Sequence, residues 1–246
     1  MARSSAATTL WVAAAALTAV FLPASPPARA AGTADTAVVQ EILDGKELYI
    51  DEKPARVRER AAAPDVVRTR NSRGQLTFGS GAAGRLNRFS QLRLGSSCFL
   101  MEKGQILVSG RQNGCTRSAR LSVRGTNYLI DVKDDGSSEL SVLEGSVEVE
   151  PLQDGSPSGA PVTTVEAGQR LRFSASGVIL ALLQLTDADY RSVLNGPLFS
   201  GFTSMLPGYA ALESHIRSSL PAVTLPPPPT LPATPVLPSI PGLRLF

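Results

Sequence analysis

Cys98 and Cys115 are the two side chains whose chemistry is most sharply defined in this chain of 246 residues. In an oxidising compartment an even pair of thiols ordinarily becomes a disulfide. Here the pair brackets one hairpin-like excursion, Phe99 to Val108 followed by a Gly-rich turn at Gly110–Gly114, so a Cys98–Cys115 bridge is expected. A zinc site would need further nitrogen or sulfur ligands. The only histidine is His215, and no third thiol follows the leader, so no metal is expected. Gly79, Gly81 and Gly84 match the GxGxxG phosphate-binding pattern. That pattern needs a strand before it and a helix opening on the phosphate after it. A strand at Gln75–Phe78 is predicted, but Arg85–Leu94 reads as strand and turn. The glycines therefore predict a turn, and no cofactor is expected. The chain has no GxSxG elbow, and His215 sits one residue from an apolar helical stripe. Carboxylates are plentiful between 131 and 166, yet none is paired in an apolar setting as acid–base catalysis requires. The prediction is that the protein is not an enzyme.

Charge is distributed unevenly. From Lys53 to Arg93 there are ten Lys or Arg and two acids; from Asp131 to Glu166 there are nine acids and one Lys. Arg56, Arg58 and Arg60 alternate with Ala55, Val57 and Glu59. In an extended strand this would set three guanidiniums about 6.6 Å apart on one face. Two readings follow: the row pairs internally with the alternating Glu148 and Glu150, or it is an interaction surface for an acidic partner. The internal pairing is the preferred expectation.

Elements must position these groups. Arg3, an apolar run of 13 residues from Leu10 to Leu22, and Ala28-Arg29-Ala30 form the pattern of a secretory signal peptide over 1–30, cut after Ala30. The run is shorter than the roughly 20 residues of a membrane-spanning helix. No transmembrane segment is expected in the mature chain, which would be periplasmic or secreted. Removal of the leader would also remove Trp11 and leave 22 basic against 21 acidic side chains. From 36 to 183 the pattern has period two with Gly-containing breaks, as in Tyr128-Ile130-Val132, Leu140-Val142 and Val147-Val149. A mainly β fold is predicted: a two-sheet, jelly-roll-like or β-helical sandwich. Over 186–220 short helices are expected to pack on it. Thr186 and Asp189 form a capping box, Pro197–Leu206 is a second candidate helix, and Tyr209, Leu212, Ile216 and Leu220 mark a third. From 221 to 246 nine prolines, five of them at every third residue, predict a disordered or extended tail.

Five phrases in order resemble the FecR domain. These are Leu76-Thr77-Phe78 with Arg85–Ser90, Lys103–Val108, Arg124-Gly125-Thr126-Asn127-Tyr128-Leu129-Ile130-Asp131-Val132, Leu143-Glu144-Gly145-Ser146-Val147-Glu148-Val149, and Val165-Glu166-Ala167-Gly168-Gln169. The resemblance implies an all-β domain outside the cytoplasmic membrane, in a family of signalling proteins, with no catalytic residue to carry over. The expected function is a non-enzymatic envelope protein-interaction or signalling module whose partner is another envelope protein. The alternative is a module binding cell-wall glycan or another polyanion. No nucleic-acid partner is expected.

Overall fold

The computed structural model describes residues 36–227. The expected leader with its cut after Ala30, and the tail beyond Pro227, lie outside the described residues. The alternating pattern folds into strands β1 (Thr36–Leu43), β2 (Leu48–Ile50), β3 (Lys53–Pro54), β4 (Arg60–Ala62), β5 (Val66–Thr69), β6 (Arg73–Phe78), β7 (Ala83–Leu86), β8 (Gln91–Arg93) and a long β9 (Phe99–Gly110). Then come β10 (Gly114–Cys115), β11 (Ala119–Val123), β12 (Thr126–Val132), β13 (Ser138–Glu144), β14 (Ser146–Gln153), β15 (Ser156–Pro157), β16 (Thr163–Glu166), β17 (Gln169–Phe173) and β18 (Ile179–Gln184). Two helices follow, α1 (Asp187–Leu194) and α2 (Tyr209–Ser219).

Pairing sorts all the strands but β15, which pairs with the end of β14 alone, into two sheets. The first runs β4-β1-β6-β7-β9-β12-β13-β17-β18, antiparallel throughout. The second runs β3-β2-β5-β8-β9-β10-β11-β14-β16, antiparallel except where β10 lies parallel to β9. Strand β9 serves both. Leu100–Lys103 pairs with β8 in the second sheet, and Gly104–Gly110 pairs with β12 in the first. Gly104 stands at the changeover with φ 79°, and a Cβ there would meet Ser90 Cα at 2.7 Å, so only glycine fits. The fold is mainly β, a two-sheet sandwich as the period-two pattern predicts.

Because side chains alternate across a strand, each strand of the first sheet supplies two layers. Inward residues such as Leu76, Phe78, Ile106, Val108, Tyr128, Ile130, Leu140 and Val142 join Leu48, Leu92, Phe99 and Met101 in the main core. The Phe78 and Phe99 rings stack with centroids 5.3 Å apart. Outward residues Ala83, Leu107 and Leu143 join a second cluster with Tyr190, Leu194, Phe199, Leu206, Leu212 and Ile216. The helices thus form a third layer on the first sheet. Thr186 and Asp189 make the predicted capping box on α1. The Tyr190 hydroxyl donates to the Leu143 carbonyl at 3.0 Å. Helices this short are marginal alone, and this apolar face is what holds them.

Two parts of this layer depart from expectation. Pro197–Leu206 is not a helix but a series of turns. Its carbonyls, which a helix would use internally, are taken by two buried arginines of the first sheet. Arg73 donates to Pro197 O and Ser200 O, and Arg85 to Leu198 O at 3.0 Å and Ser204 O at 2.7 Å. Nor is the proline-rich segment free from residue 221 onward. Val223 is buried, Leu225 packs on the helical cluster, and Pro226 O accepts from the Tyr209 hydroxyl at 2.6 Å. Residues 221–227 are therefore part of the packed domain.

Candidate functional site

Four strands end the two sheets, and three carry features that discourage further pairing. Strand β3 is Lys53-Pro54, β4 is a three-residue strand opening on exposed Arg60, and β16 ends on exposed Glu166. A charge, a proline or a very short length all blunt an edge. Strand β18 has none of these over Ile179–Gln184. Among the described residues it pairs only with β17, and none of them covers its other side. Its exposed apolar residues are Ile179 at 38 %, Leu180 at 61 %, Leu182 at 46 % and Leu183 at 40 %, with Val178 at 59 % just before it. Leu182 pairs across with the fully buried Leu171, so it points toward the core, yet nothing among the described residues covers it. Leu180 falls in the register shift opposite Arg172 and Phe173, and Leu183 faces outward beside Arg170. The edge is apolar on both faces, which is uncommon for a strand left to water.

The arginine row does not form. Only Arg60 lies in a strand; Arg58 has φ 72° in a turn, and the Arg56 amide N–H donates to the Glu59 carboxylate at 2.8 Å. The left-handed turn at Arg58 breaks the alternation that an extended strand would need. Nor do the arginines meet Glu148 and Glu150. Register sets Arg120 opposite Glu150, and the ion pairs are Arg120–Glu150 at 2.6 Å and Arg124–Glu148 at 2.8 Å. The nearest cross-strand cation wins, and it comes from β11, a strand whose partner choice the spacing does not reveal.

Cys98 and Cys115 are bridged, with Cα atoms 5.9 Å apart. The chain between them is not a hairpin: β10 returns parallel to the start of β9, placing Cys115 beside Leu100. The bridge lines an open cleft of about 730 Å³ with Leu100, Thr116, Arg117, Arg120 and Asp154. Gly79–Gly84 forms the β6–β7 turn, with Gly81 at φ 83° and a strand, not a helix, after it. His215 lies half-buried on α2. No group of three His, Cys, Asp or Glu side chains positioned for a metal occurs among the described residues.

Two arginines that sequence reasoning passed over are the most buried charges of the fold. Arg73 is held by Asp44 at 2.5 and 3.0 Å, and that contact pulls the Asp44 carboxyl down to about 2. Arg85 donates to Gln75 Oε1 at 2.8 Å and lies 4.3 Å over the Phe202 ring. Burial lowers its guanidinium to about 10, so it stays charged at neutral pH. Glu41 receives the backbone N–H groups of Thr203 at 2.9 Å and Ser204 at 3.1 Å. These contacts fasten the 197–206 turns to the first sheet and have the character of a structural clasp.

Residues 65–148 match the family model described as FecR protein. Over this segment the chain is similar to the FecR family. The segment runs from the residue before β5 into β14 and contains β9 and the disulfide, whereas β18 and the helical layer lie beyond it. Two solved structures from Parabacteroides distasonis ATCC 8503, each provisionally described as an anti-sigma factor, are similar to this chain. One is 18 % identical with a TM-score of 0.40, covering 52 % of this chain and 62 % of that one. The other is 15 % identical with a TM-score of 0.43, covering 62 % and 73 %. No curated protein matches the chain. Among the described residues no helix is long and apolar enough to cross a membrane.

Proposed function

We propose that this protein is an exported, non-enzymatic interaction module of the signalling type, and that β18 is where it docks a partner protein. The carrying observation is the edge itself: six uncharged residues, Ile179–Gln184, on a strand that no other described strand covers and whose three counterparts are all blunted. Such an edge selects its occupant. Its unpaired backbone groups suit an extended strand, and the lack of any charge over its length suits an uncharged apolar one. The partner is therefore an envelope protein that offers such a strand. The FecR match supports the signalling class, and the leader pattern supports export.

The experiment is in-cell photocrosslinking from a reactive residue placed at Leu183, with the adduct identified by mass spectrometry. A single adduct to another envelope protein is expected. Leu180→Lys with Leu182→Lys should abolish it, while Val162→Lys, away from the edge, should not. An adduct that survives the double lysine variant, or one formed only between two copies of this chain, would overturn the reading.

A further inference from the structure

Phe89 is at odds with its setting. A positive φ is uncommon outside glycine, and for a bulky residue it is an outlier. Phe89 has φ 55°, its amide N–H donates to the Arg70 carbonyl at 2.9 Å, and the residue is 55 % exposed. Glycine would take this turn without strain, and an exposed ring gains little from burial. Neither local conformation nor packing therefore accounts for a phenylalanine here. The residue lines an open cleft of about 550 Å³, at the point where β9 changes sheets. Three other side chains of that lining form a fixed polar row. Asn87 Nδ2 donates to Gln105 Oε1 at 2.8 Å, and Gln105 Nε2 to Asp131 Oδ2 at 2.9 Å. Lys133 Nζ donates to the same Oδ2, so among the described residues Asp131 Oδ1 is left to accept from elsewhere. Gln105 and Asp131 are paired across β9 and β12, on the same outward face as Leu107 and Leu129. None of the residues of the helical layer lines the cleft.

We infer that this cleft binds a neutral oligosaccharide, with the Phe89 ring as the platform for a sugar face and the Asn87–Gln105–Asp131 row bonding hydroxyls. Three features select that class. First, a sugar ring has an apolar carbon–hydrogen face and a polar rim, and the cleft offers a flat aromatic ring beside a row of planar polar groups. Second, a sugar hydroxyl both gives and takes a hydrogen bond. The lining supplies acceptors in Asp131 and Asp134, donors in Lys103 and Lys133, and both in Gln105. Third, its charges are mixed. Lys133 bonds Asp131, Arg88 bonds Asp44 at 2.8 Å, and the exposed Lys103 and Asp134 carry opposite signs. No stretch of one charge is present to attract a polyanion or a nucleic-acid backbone. A protein partner would need a wider apolar centre, whereas the other large apolar residue of the lining, Val132, is buried. The site is separate from β18, since β13 and β17 lie between it and that edge.

The test is titration of the nitrogen-15-labelled protein with cellotetraose, tetra-N-acetylchitotetraose and maltotetraose, followed by amide chemical shifts. At least one should bind with a dissociation constant of about 1 mM or tighter. The largest shifts should fall at Phe89, Gln105 and Asp131. Affinity should hold as salt rises from about 50 to 500 mM, because the ligand is uncharged. Phe89→Tyr should keep binding. Phe89→Leu keeps the apolar bulk without the flat ring and should weaken it roughly tenfold or more. Phe89→Gly should lose binding as fully yet melt close to the wild type, since glycine suits φ 55°. The Leu180→Lys, Leu182→Lys variant should bind saccharide as the wild type does, so a failure of the docking edge leaves this site standing. Four results would each overturn the inference. They are no shift with any of the three saccharides at about 10 mM, full binding by Phe89→Leu, a Phe89→Gly protein that melts well below the wild type, and tighter binding of polygalacturonate or oligothymidine than of any neutral saccharide.

Discussion

Arg85 reads in the sequence as one more cation of a basic region, and the fold makes it a fastener. Its three donors serve Gln75, Leu198 and Ser204, and Phe202 lies against its plane. Bonds to a charged group contribute about 1.5–3 kcal/mol each, and their loss also strands buried carbonyls. Arg85→Met is expected to destabilise the protein by about 3 kcal/mol or more in urea unfolding. Arg85→Lys should fall between, because an ammonium cannot reproduce the planar fork. Asp44 gives the same clasp a pH signature. Its folded pKa of about 2 lies below the ordinary carboxylate value of 3.8 because Arg73, and then Arg88, bond its charged form. A lowered folded pKa means stability that is full above the unfolded value and is lost as pH falls through the folded one. Melting temperature should therefore drop between about pH 4 and pH 2, and Asp44→Asn should flatten that part of the profile.

At the scale of elements, α1 offers a clean check on the capping reading. Thr186→Ala removes the acceptor for Asp189 N and should cost about 1 kcal/mol. The segment after α2 offers another. Truncation after Leu220 removes Val223 and the Pro226 acceptor; truncation after Pro227 keeps both. The first should be less stable than the second by about 2 kcal/mol, the worth of one buried aliphatic chain. Strands such as β12, β13 and β14 were legible because one face is apolar throughout, and α2 because Leu212 and Ile216 recur on one side. The 197–206 segment was not legible, since its turns depend on arginines more than a hundred residues away. The Arg56–Arg60 row failed for a local reason, the left-handed turn at Arg58. The edge at β18 escaped notice because apolar composition reads alike in a central strand and an edge; only pairing separates them.

For the molecule as a whole, the Cys98–Cys115 bridge closes a loop of 17 residues that spans the start of β9 and its parallel neighbour β10. In the chain-entropy account such a loop contributes about 3 kcal/mol. Cys98→Ser with Cys115→Ser should lower the urea midpoint accordingly while leaving the far-ultraviolet dichroism native. The two halves of the sandwich share β9, and this sets how the chain can come apart. A sandwich with separate sheets can lose one and keep the other as a partly ordered intermediate. Here neither sheet retains its central strand without the other, so melting should be one cooperative transition by calorimetry and by Tyr fluorescence alike. Its reassembly should also be slow, since β9 must find β7 and β12 on one side and β8 and β10 on the other before either sheet is complete. Gly104 becomes the pivot of that search. An alanine there would collide with Ser90 at the one point where the strand changes allegiance, and the refolding rate is where the damage should show first.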